Sequence, residues 1–278
     1  MIQKYYNITL TDELKQLLQT IDDLKLQIDI NRSLHKERFA AIQEKLRIDW
    51  TYETNAIEGS SLTKGETLFF LQEGLTVEGK PFNDFLDARN HAEAIDWLYD
   101  IINDNRPVTE GLIKEINALL LSGVHYTEAI NEAGRKVKKP LTPGQYKSLP
   151  NHVLQPDGAI FFYTEPIHVP DEMQTLCQWI NRNIEIHHPI ITASIAHYNM
   201  VRIHPFDDGN GRGARILMNL ILIKKGYPPA IIKMEKLRSY LTALSQADKG
   251  DISQFVMLAA DSLINTQRLI LEELKRHN

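Results

Sequence analysis

Apolar residues recur at helical spacing from the start of the chain. In the first stretch they alternate three and four residues apart, at Leu14, Leu17, Ile21, Leu24 and Ile28. The same spacing resumes at Phe39 after a break between Asn31 and His35. This pattern predicts two helices or one interrupted helix. Its apolar face indicates an arm that packs on the core, and the alternative is a coiled coil between two copies.

Turn residues and capping residues divide the rest of the chain into further helices. Gly59 is placed to end one helix, and Thr63 with Glu66 has the spacing of a capping box that opens the next. Periodicity predicts later helices at about 84–104, 109–121, 170–184, 189–203, 211–226, 235–246 and 251–276. The segments 189–203 and 211–226 are mostly apolar, so we expect both helices to be buried.

Helical periodicity is lost between residues 123 and 169, where glycine, proline and polar residues predominate. The order Pro-Asp-Gly at 156–158 separates two short apolar runs and is a strong turn signal. We therefore predict a small β-hairpin around 153–164. The basic run 135–139 is predicted to be a solvated loop. The expected fold is all-α with one inserted hairpin.

Composition narrows the class of protein. The 278 residues are 43% hydrophobic and 24% charged, as is usual for a soluble globular protein, and the net charge of −5 provides no basic field for nucleic acid. The single cysteine, Cys177, excludes an intrachain disulfide and a cysteine-based zinc site. The longest apolar run, at 216–223, is too short to span a bilayer. We expect a reduced, cytoplasmic protein without a signal peptide or membrane attachment.

The segment "HPFDDGNGR" at 204–212 joins the two helices predicted to be buried, and its residue types suit chemistry on an anion. The glycines and the following helix N-terminus direct backbone N–H groups at one point. Arg212 and Arg215 lie in the first turn of that helix, where the dipole disfavours cations unless an anion is held. Asp208 is suited to a divalent cation shared with phosphates. His204, with an ordinary pKa of roughly 6.5, is suited to act as a general base.

The sequence "HPFDDGNGRGAR" resembles the signature of the Fic family, His-x-Phe-x-Asp/Glu-Gly-Asn-Gly-Arg-x-x-Arg, at every defined position. The resemblance extends over roughly residues 50–260 and implies a Fic-type helical bundle in which the hairpin is the flap. It divides the chain into four regions: a helical arm (1–50), an inhibitory-helix region (51–74), the catalytic core (75–230) and a C-terminal helical extension (231–278).

The resemblance also implies an activity and a role for each motif residue. Fic enzymes move AMP from ATP to a protein hydroxyl and release pyrophosphate. By this likeness His204 is the base, Asp208 holds Mg²⁺, and Arg212 and Arg215 hold the β- and γ-phosphates. The cradle for the phosphates is formed by Gly209, Asn210 and Gly211. An unidentified protein target is expected to dock on the hairpin at 153–164 by strand addition, while the alternative for this segment is a solvated hairpin.

The segment "TNAIEG" at 54–59 resembles the Fic inhibitory motif, and its place before the core resembles the class with an N-terminal inhibitory helix. Thr54 and Glu58 are four residues apart and share one helix face. The resemblance implies that Glu58 pairs with Arg215 and blocks productive ATP binding. The alternative is that Glu58 is a surface carboxylate before the capping Gly59.

The predicted function is that of an autoinhibited protein adenylyltransferase. Two alternatives stay open: removal of AMP from a modified protein at the same site, with Glu58 positioning water, and a nucleotide-sensing interaction protein without catalysis. A homodimer built on the N-terminal helices is possible, and no DNA-binding element is expected. Tyr240 is a candidate to stack on the adenine, with core packing as the alternative.

Overall fold

The computed structural model describes residues 8–102, 106–130, 134–154 and 160–275, and about two thirds of the chain is helical. The ten helices of this part of the chain are α1 (Asp12–Leu34), α2 (Lys36–Ile57), α3 (Lys64–Glu73), α4 (Phe82–Ile102), α5 (Glu110–Leu120), α6 (Val169–Asn183), α7 (Pro189–Ile203), α8 (Asn210–Lys224), α9 (Leu237–Ala247) and α10 (Ser253–Lys275). The predicted all-α bundle with a small hairpin is confirmed.

The helix ends follow the local sequence signals. Thr11 accepts a hydrogen bond from the N–H of Leu14 at 3.2 Å and caps α1. The predicted capping box of Thr63 and Glu66 is present at the start of α3. The break between the first two helices lies at His35, whose φ of −132° interrupts the helical path. The N-terminal stretch is therefore two helices.

Helices α1 and α2 are part of the same hydrophobic core as the rest of the bundle. Leu14, Ile21 and Ile28 on α1 are buried, and so is Trp50 on α2. The arm packs against α10, as the apolar stripe predicts. Because α2 runs without interruption from Lys36 to Ile57, the proposed boundary between residues 50 and 51 falls inside one helix.

Replacement of Ile21 by alanine tests this packing. Ile21 is fully buried, and the change is expected to lower the free energy of unfolding by about 2–5 kcal/mol. The matched control on the same helix is Ile30→Ala, because Ile30 is 57% exposed and its loss is expected to cost no more than about 0.5 kcal/mol. Urea unfolding of both variants checks the prediction. Equal destabilisation would show that α1 does not belong to the core.

Helices α7 and α8 form the centre of the bundle. Both are buried along most of their length, as their apolar sequences predict, and small residues such as Ala193 and Ala196 bring neighbouring helices close. Because both helices are buried and closely packed, they form a rigid frame for the loop that joins them.

No helix in the described ranges combines the length and the hydrophobicity needed to cross a membrane.

Two short antiparallel hairpins lie between α5 and α6. One pairs β3 (Val153–Leu154) with β4 (Ile160–Phe161), where the sequence predicts the flap, and its turn at 155–159 lies outside the described residues. The other pairs β1 (Tyr126–Ile130) with β2 (Lys136–Pro140). The run 135–139 is mostly exposed, as predicted, but the prediction of a loop was wrong, because residues 136–139 lie in β2. The hairpin is formed by backbone pairing of its two strands, and the exposed ion pair of Lys136 with Glu128 at 3.2 Å adds little to it.

Candidate active site

The loop at 204–209, which we call the motif loop, begins and ends with a residue in the left-handed conformation. His204 ends α7 with φ 51° and ψ 60°, and no other non-glycine residue in the described ranges has a positive φ. This conformation costs an L-residue roughly 1–2 kcal/mol, and such strain is concentrated at functional sites. Gly209 opens α8 at φ 75°, where a glycine is unstrained.

Asn210 closes the motif loop on itself. Its side chain accepts a hydrogen bond from the N–H of Phe206 at 2.9 Å and donates one to the Phe206 carbonyl at 2.8 Å. Asn151 donates a second hydrogen bond to that carbonyl, also at 2.8 Å, and the Phe206 ring is fully buried. The predicted cradle residue Asn210 thus fixes the loop with its side chain. Because the side chain is used in this way, the group of Asn210 that can bind an anion is its backbone N–H in the first turn of α8.

The end of α5 supports the loop from a second side. Asn117 donates a hydrogen bond to the carbonyl of Asp208 at 2.9 Å and accepts one from the N–H of Gly144 at 3.0 Å. A Cβ atom on Gly209 would lie 3.2 Å from the Asn117 amide nitrogen. Glycine is therefore favoured at 209 both by its backbone conformation and by the close approach of α5.

The His204 imidazole is held in a form that accepts a proton at Nε2. Its Nδ1 lies 3.3 Å from the carbonyl of Val201, and since a carbonyl only accepts, Nδ1 carries the hydrogen and Nε2 has the free lone pair. Burial, together with the nearby charge of Lys147, lowers the pKa of His204 to about 4, although Val201 and Glu58 act in the opposite direction. The ring is therefore neutral at pH 7.

Arg212 is buried between two carboxylates. Its Nη1 lies 2.5 Å from Asp87 on α4, and its Nη2 lies 3.8 Å from Asp208 in the motif loop. Its side chain is only 7% exposed, so its charge needs such partners. Both carboxylates orient the guanidinium at the N-terminus of α8, where an incoming anion would meet it.

Arg215 is held mainly by the end of α2, and Tyr240 on α9 is also hydrogen-bonded to it. Its Nε donates to the hydroxyl of Thr54 at 2.5 Å, and its Nη2 donates to the Thr54 carbonyl at 3.2 Å and to Glu58 at 2.5 Å. Burial by itself would raise the pKa of Glu58, but attraction and hydrogen bonding to Arg215 leave that pKa below its ordinary value. The pairing of Glu58 with Arg215 implied by "TNAIEG" is therefore present as a contact.

Glu58 also covers the start of α8. A Cβ atom added to Gly211 would collide with the Glu58 carboxylate, and it would lie 3.3 Å from Nη1 of Arg215. Glu58 thus places its negative charge at the helix N-terminus, where backbone N–H groups favour an anion. Glycine at 211 permits this close approach.

Asp208 is the carboxylate of the motif loop that remains accessible. Its side chain is 37% exposed, and its Oδ1 accepts a hydrogen bond from the N–H of Gly209 at 2.5 Å. Its neighbour Asp207 is turned away and pairs with Lys139 at 2.7 Å and with Thr142 at 3.1 Å. The described part of the chain contains no group of three or more His, Cys, Asp or Glu side chains suited to a metal ion. A single carboxylate fits Mg²⁺ only when phosphate oxygens and waters complete its shell.

The structure brings all the predicted site residues to one place and adds several that sequence reasoning missed. The missed residues are Asp87, Asn117, Lys147, Asn151 and Tyr163. Asn117 was detectable, because it interrupts the apolar face of α5. Tyr240 is 4% exposed, its hydroxyl lies 3.1 Å from Nε2 of His197, and it is also hydrogen-bonded to Arg215. It therefore packs in the core behind Arg215, and its ring is not exposed for stacking on a base.

The fold thus places a neutral histidine beside a helix N-terminus whose backbone N–H groups and buried arginines are suited to an anion. Residues 107–222 match the model of the Fic/DOC family, which includes the whole motif. This segment of the chain is a Fic/DOC domain. A Fic-domain signalling protein from Bacteroides thetaiotaomicron has the same fold, with a TM-score of 0.81 and 29% identity over 93% of this chain and 98% of that chain.

Relatives with a named activity are similar over most of this chain. It is 30% identical to protein adenylyltransferase fic-1 of Caenorhabditis briggsae over an alignment of 267 residues, which covers 92% of this chain and 47% of that protein. It is 33% identical over 211 residues to protein adenylyltransferase Fic of Nematostella vectensis, which covers 75% of this chain and 45% of that protein. The chain thus spans about half the length of these relatives.

Proposed function

We propose that the protein is an adenylyltransferase that transfers AMP from ATP to a hydroxyl group of a protein target and releases pyrophosphate. The observation that carries the proposal is the neutral His204 beside the N-terminus of α8, in which Arg212 and Arg215 are buried. The names of the similar proteins support it. A cytoplasmic location and a homodimer stay predictions.

His204 has the general-base role in this proposal. Its Nε2 takes the proton from the target hydroxyl as that oxygen bonds to the α-phosphorus of ATP. The bond from the α-phosphorus to the oxygen bridging the α- and β-phosphates breaks, and pyrophosphate leaves. The hydrogen bond from Nδ1 to Val201 keeps the ring in the tautomer that this step requires.

The start of α8 binds the phosphates. The unpaired N–H groups of its first turn, at Asn210 and Gly211, stabilise negative charge. Arg212 and Arg215 add charge-assisted hydrogen bonds to the β- and γ-phosphates. Because both guanidinium groups are buried and already paired with carboxylates, ATP has to share or replace those partners.

Asp208 is the proposed ligand of Mg²⁺, together with phosphate oxygens and water. When bound, the ion neutralises phosphate charge and orients the α- and β-phosphates for displacement. The contribution of the chain is one partly exposed carboxylate, held in place by the hydrogen bonds of Asn117 to the Asp208 carbonyl and of Gly209 to Oδ1.

Replacement of Asp208 by asparagine is expected to lower Mg²⁺-dependent transfer by about 10²-fold or more, because a ligand charge worth several kcal/mol is lost. The matched control is Asp207→Asn, the adjacent carboxylate that binds Lys139 and Thr142, which should keep most of the activity. Rates of AMP incorporation over a Mg²⁺ titration check this. Equal loss in both variants would remove the metal role from Asp208.

Glu58 is proposed to inhibit transfer in the ground state. It holds Arg215 and lies over Gly211, so it occupies both the partner of the γ-phosphate and part of the phosphate cradle. An extended segment of the target is proposed to dock on the hairpin at 153–164, whose Val153 and Ile160 are 45% and 53% exposed.

A second candidate activity is removal of AMP from a modified protein. The observation that favours it is that the Glu58 side chain stays 42% exposed while Oε1 binds Arg215, so the carboxylate can also position a water molecule. Release of AMP from a modified protein by the wild type, and not by Glu58→Gly, would support this activity.

The test of the proposed function uses ATP labelled at either end. The Glu58→Gly protein, with Mg²⁺, should incorporate label from α-labelled ATP and none from γ-labelled ATP. Incorporation of the γ-label alone would indicate phosphoryl transfer, and nucleotide binding without any incorporation would favour a sensor.

A further inference from the structure

Three side chains between α5 and α6, outside the motif, surround His204. Asn151 donates hydrogen bonds to the carbonyls of His204 and Phe206 at 3.5 and 2.8 Å. Lys147 is 2% exposed, and its Nζ donates to Asn151 at 2.5 Å. Tyr163, two residues after β4, stacks on the His204 ring with 3.8 Å between the centroids and 15° between the planes.

We propose that Tyr163 is a positioning residue whose ring holds the His204 imidazole in the orientation that presents Nε2 to the acceptor hydroxyl. The inference rests on the proposed function, since it assigns His204 as the base. It links the hairpin to the chemistry: the base is oriented when the hairpin is seated against it.

The stack supplies a restraint that His204 otherwise lacks. The hydrogen bond from Nδ1 to Val201, at 3.3 Å, is at the long end of the normal range. One such bond leaves the plane of the ring free to turn, whereas a parallel aromatic ring fixes it. Proton transfer requires this precision, because small errors in the position of a reacting group cost rate.

Tyr163 is itself anchored to the hairpin and to α7. Its N–H lies 3.3 Å from Nδ1 of His152, across the base of the hairpin, and the Phe161 ring packs against it at 5.0 Å. Arg202 lies 4.4 Å over the Phe161 ring and donates a hydrogen bond to the carbonyl of Phe162 at 3.3 Å. A change in how the hairpin is seated is therefore transmitted to the Tyr163 ring.

The charged groups that shift the pKa of His204 come from two other segments, and Arg202 and Asp248 act on the pKa of Tyr163. Lys147 lies 5.9 Å from the Tyr163 ring centroid, and its charge lowers the pKa of His204, whereas Glu58, from the end of α2, acts to raise it. Burial lowers the pKa of Lys147 to about 8, so this lysine is mostly charged at pH 7. Burial of the imidazole, to which the Tyr163 ring contributes by stacking on one face, is the largest influence on its pKa.

The kinetic test uses the Glu58→Gly protein as parent and measures self-modification. Tyr163→Phe keeps the ring and is expected to stay close to the parent. Tyr163→Leu loses the stack and should lower kcat by about 10- to 100-fold with little change in the KM for ATP, because no phosphate-binding residue touches Tyr163. Tyr126→Leu, the same change at an exposed tyrosine of β1, is the control and should match the parent.

A second measurement does not depend on activity. An NMR titration of the His204 ring, assigned with His204→Asn, should give a pKa near 4 in the wild type and in Tyr163→Phe. In Tyr163→Leu it should rise toward the ordinary value of roughly 6.5, because the ring becomes solvated. Parent-like kinetics or an unchanged His204 titration in Tyr163→Leu would overturn the positioning role. If the Glu58→Gly parent is inactive but the His204 titration shifts as expected in Tyr163→Leu, the contact between Tyr163 and His204 is supported and the proposed function is rejected.

Discussion

Replacement of His204 by asparagine is expected to lower AMP transfer by about 10²–10⁴-fold, the usual contribution of a general base. Asparagine is the sharper choice over alanine, because residue 204 has φ 51° and asparagine tolerates the left-handed conformation better than other residues. The backbone of the motif loop should therefore survive while the base is lost. Initial rates of label incorporation from α-labelled ATP measure the effect.

Nucleotide binding is the control for this prediction. ATP affinity, measured by calorimetry in the Glu58→Gly background, should be nearly the same with and without His204→Asn, because the phosphates are bound by the start of α8 and its arginines. A wild-type transfer rate in the His204→Asn variant would show that another group accepts the proton. A large loss of affinity would instead place His204 in binding.

The Glu58→Gly protein is expected to modify itself with ATP about 10- to 100-fold faster than the wild type. The charge-assisted hydrogen bond to Arg215 is worth about 1.5–3 kcal/mol, and about 1.4 kcal/mol corresponds to tenfold. Glu58→Gln is the matched variant, since it keeps the size and a neutral hydrogen bond, and it should be activated to an intermediate degree. Incorporation at saturating ATP and Mg²⁺ checks all three proteins.

Truncation of Arg215 in the Glu58→Gly protein tests how that change activates the protein. Activation can come from release of Arg215 or from loosening of the end of α2. If Glu58 competes with the γ-phosphate for Arg215, the double variant Glu58→Gly, Arg215→Ala should lose most of the gain. The two changes should then be strongly non-additive, as expected for groups in contact. Equal incorporation in the wild type and Glu58→Gly, with folding confirmed by circular dichroism, would show that "TNAIEG" is only a helix end and a turn.

Most of the fold could be predicted because local signals and tertiary packing agree. The caps at Thr11 and Thr63 and the N-terminal Pro189 of α7 mark real helix boundaries, and the apolar stripe of α1 is the face that is buried. The hairpin at 126–140 was missed because charged residues interrupt the apolar positions of its strands. Its pairing is the backbone register of Tyr126–Ile130 with Lys136–Pro140, which the local pattern did not indicate.

The part of the site that lies within one contiguous sequence motif could be predicted. His204 through Arg215 lie on one loop and one helical turn, so their proximity follows from the sequence. The pairs Arg212–Asp87 and Tyr163–His204 join residues that are far apart in the chain. Such pairs depend on how α4 and the hairpin pack against the central helices, which local patterns do not specify.

Intact-mass spectrometry is the most direct measurement of the proposed function. The Glu58→Gly protein, incubated with ATP and Mg²⁺, should gain the mass of one or more AMP groups, and peptide mapping should place them on hydroxyl side chains. In the same time, the same protein carrying His204→Asn should gain at most about a hundredth as much. An adduct of a different mass, or an equal AMP adduct without His204, would contradict AMP transfer by this site.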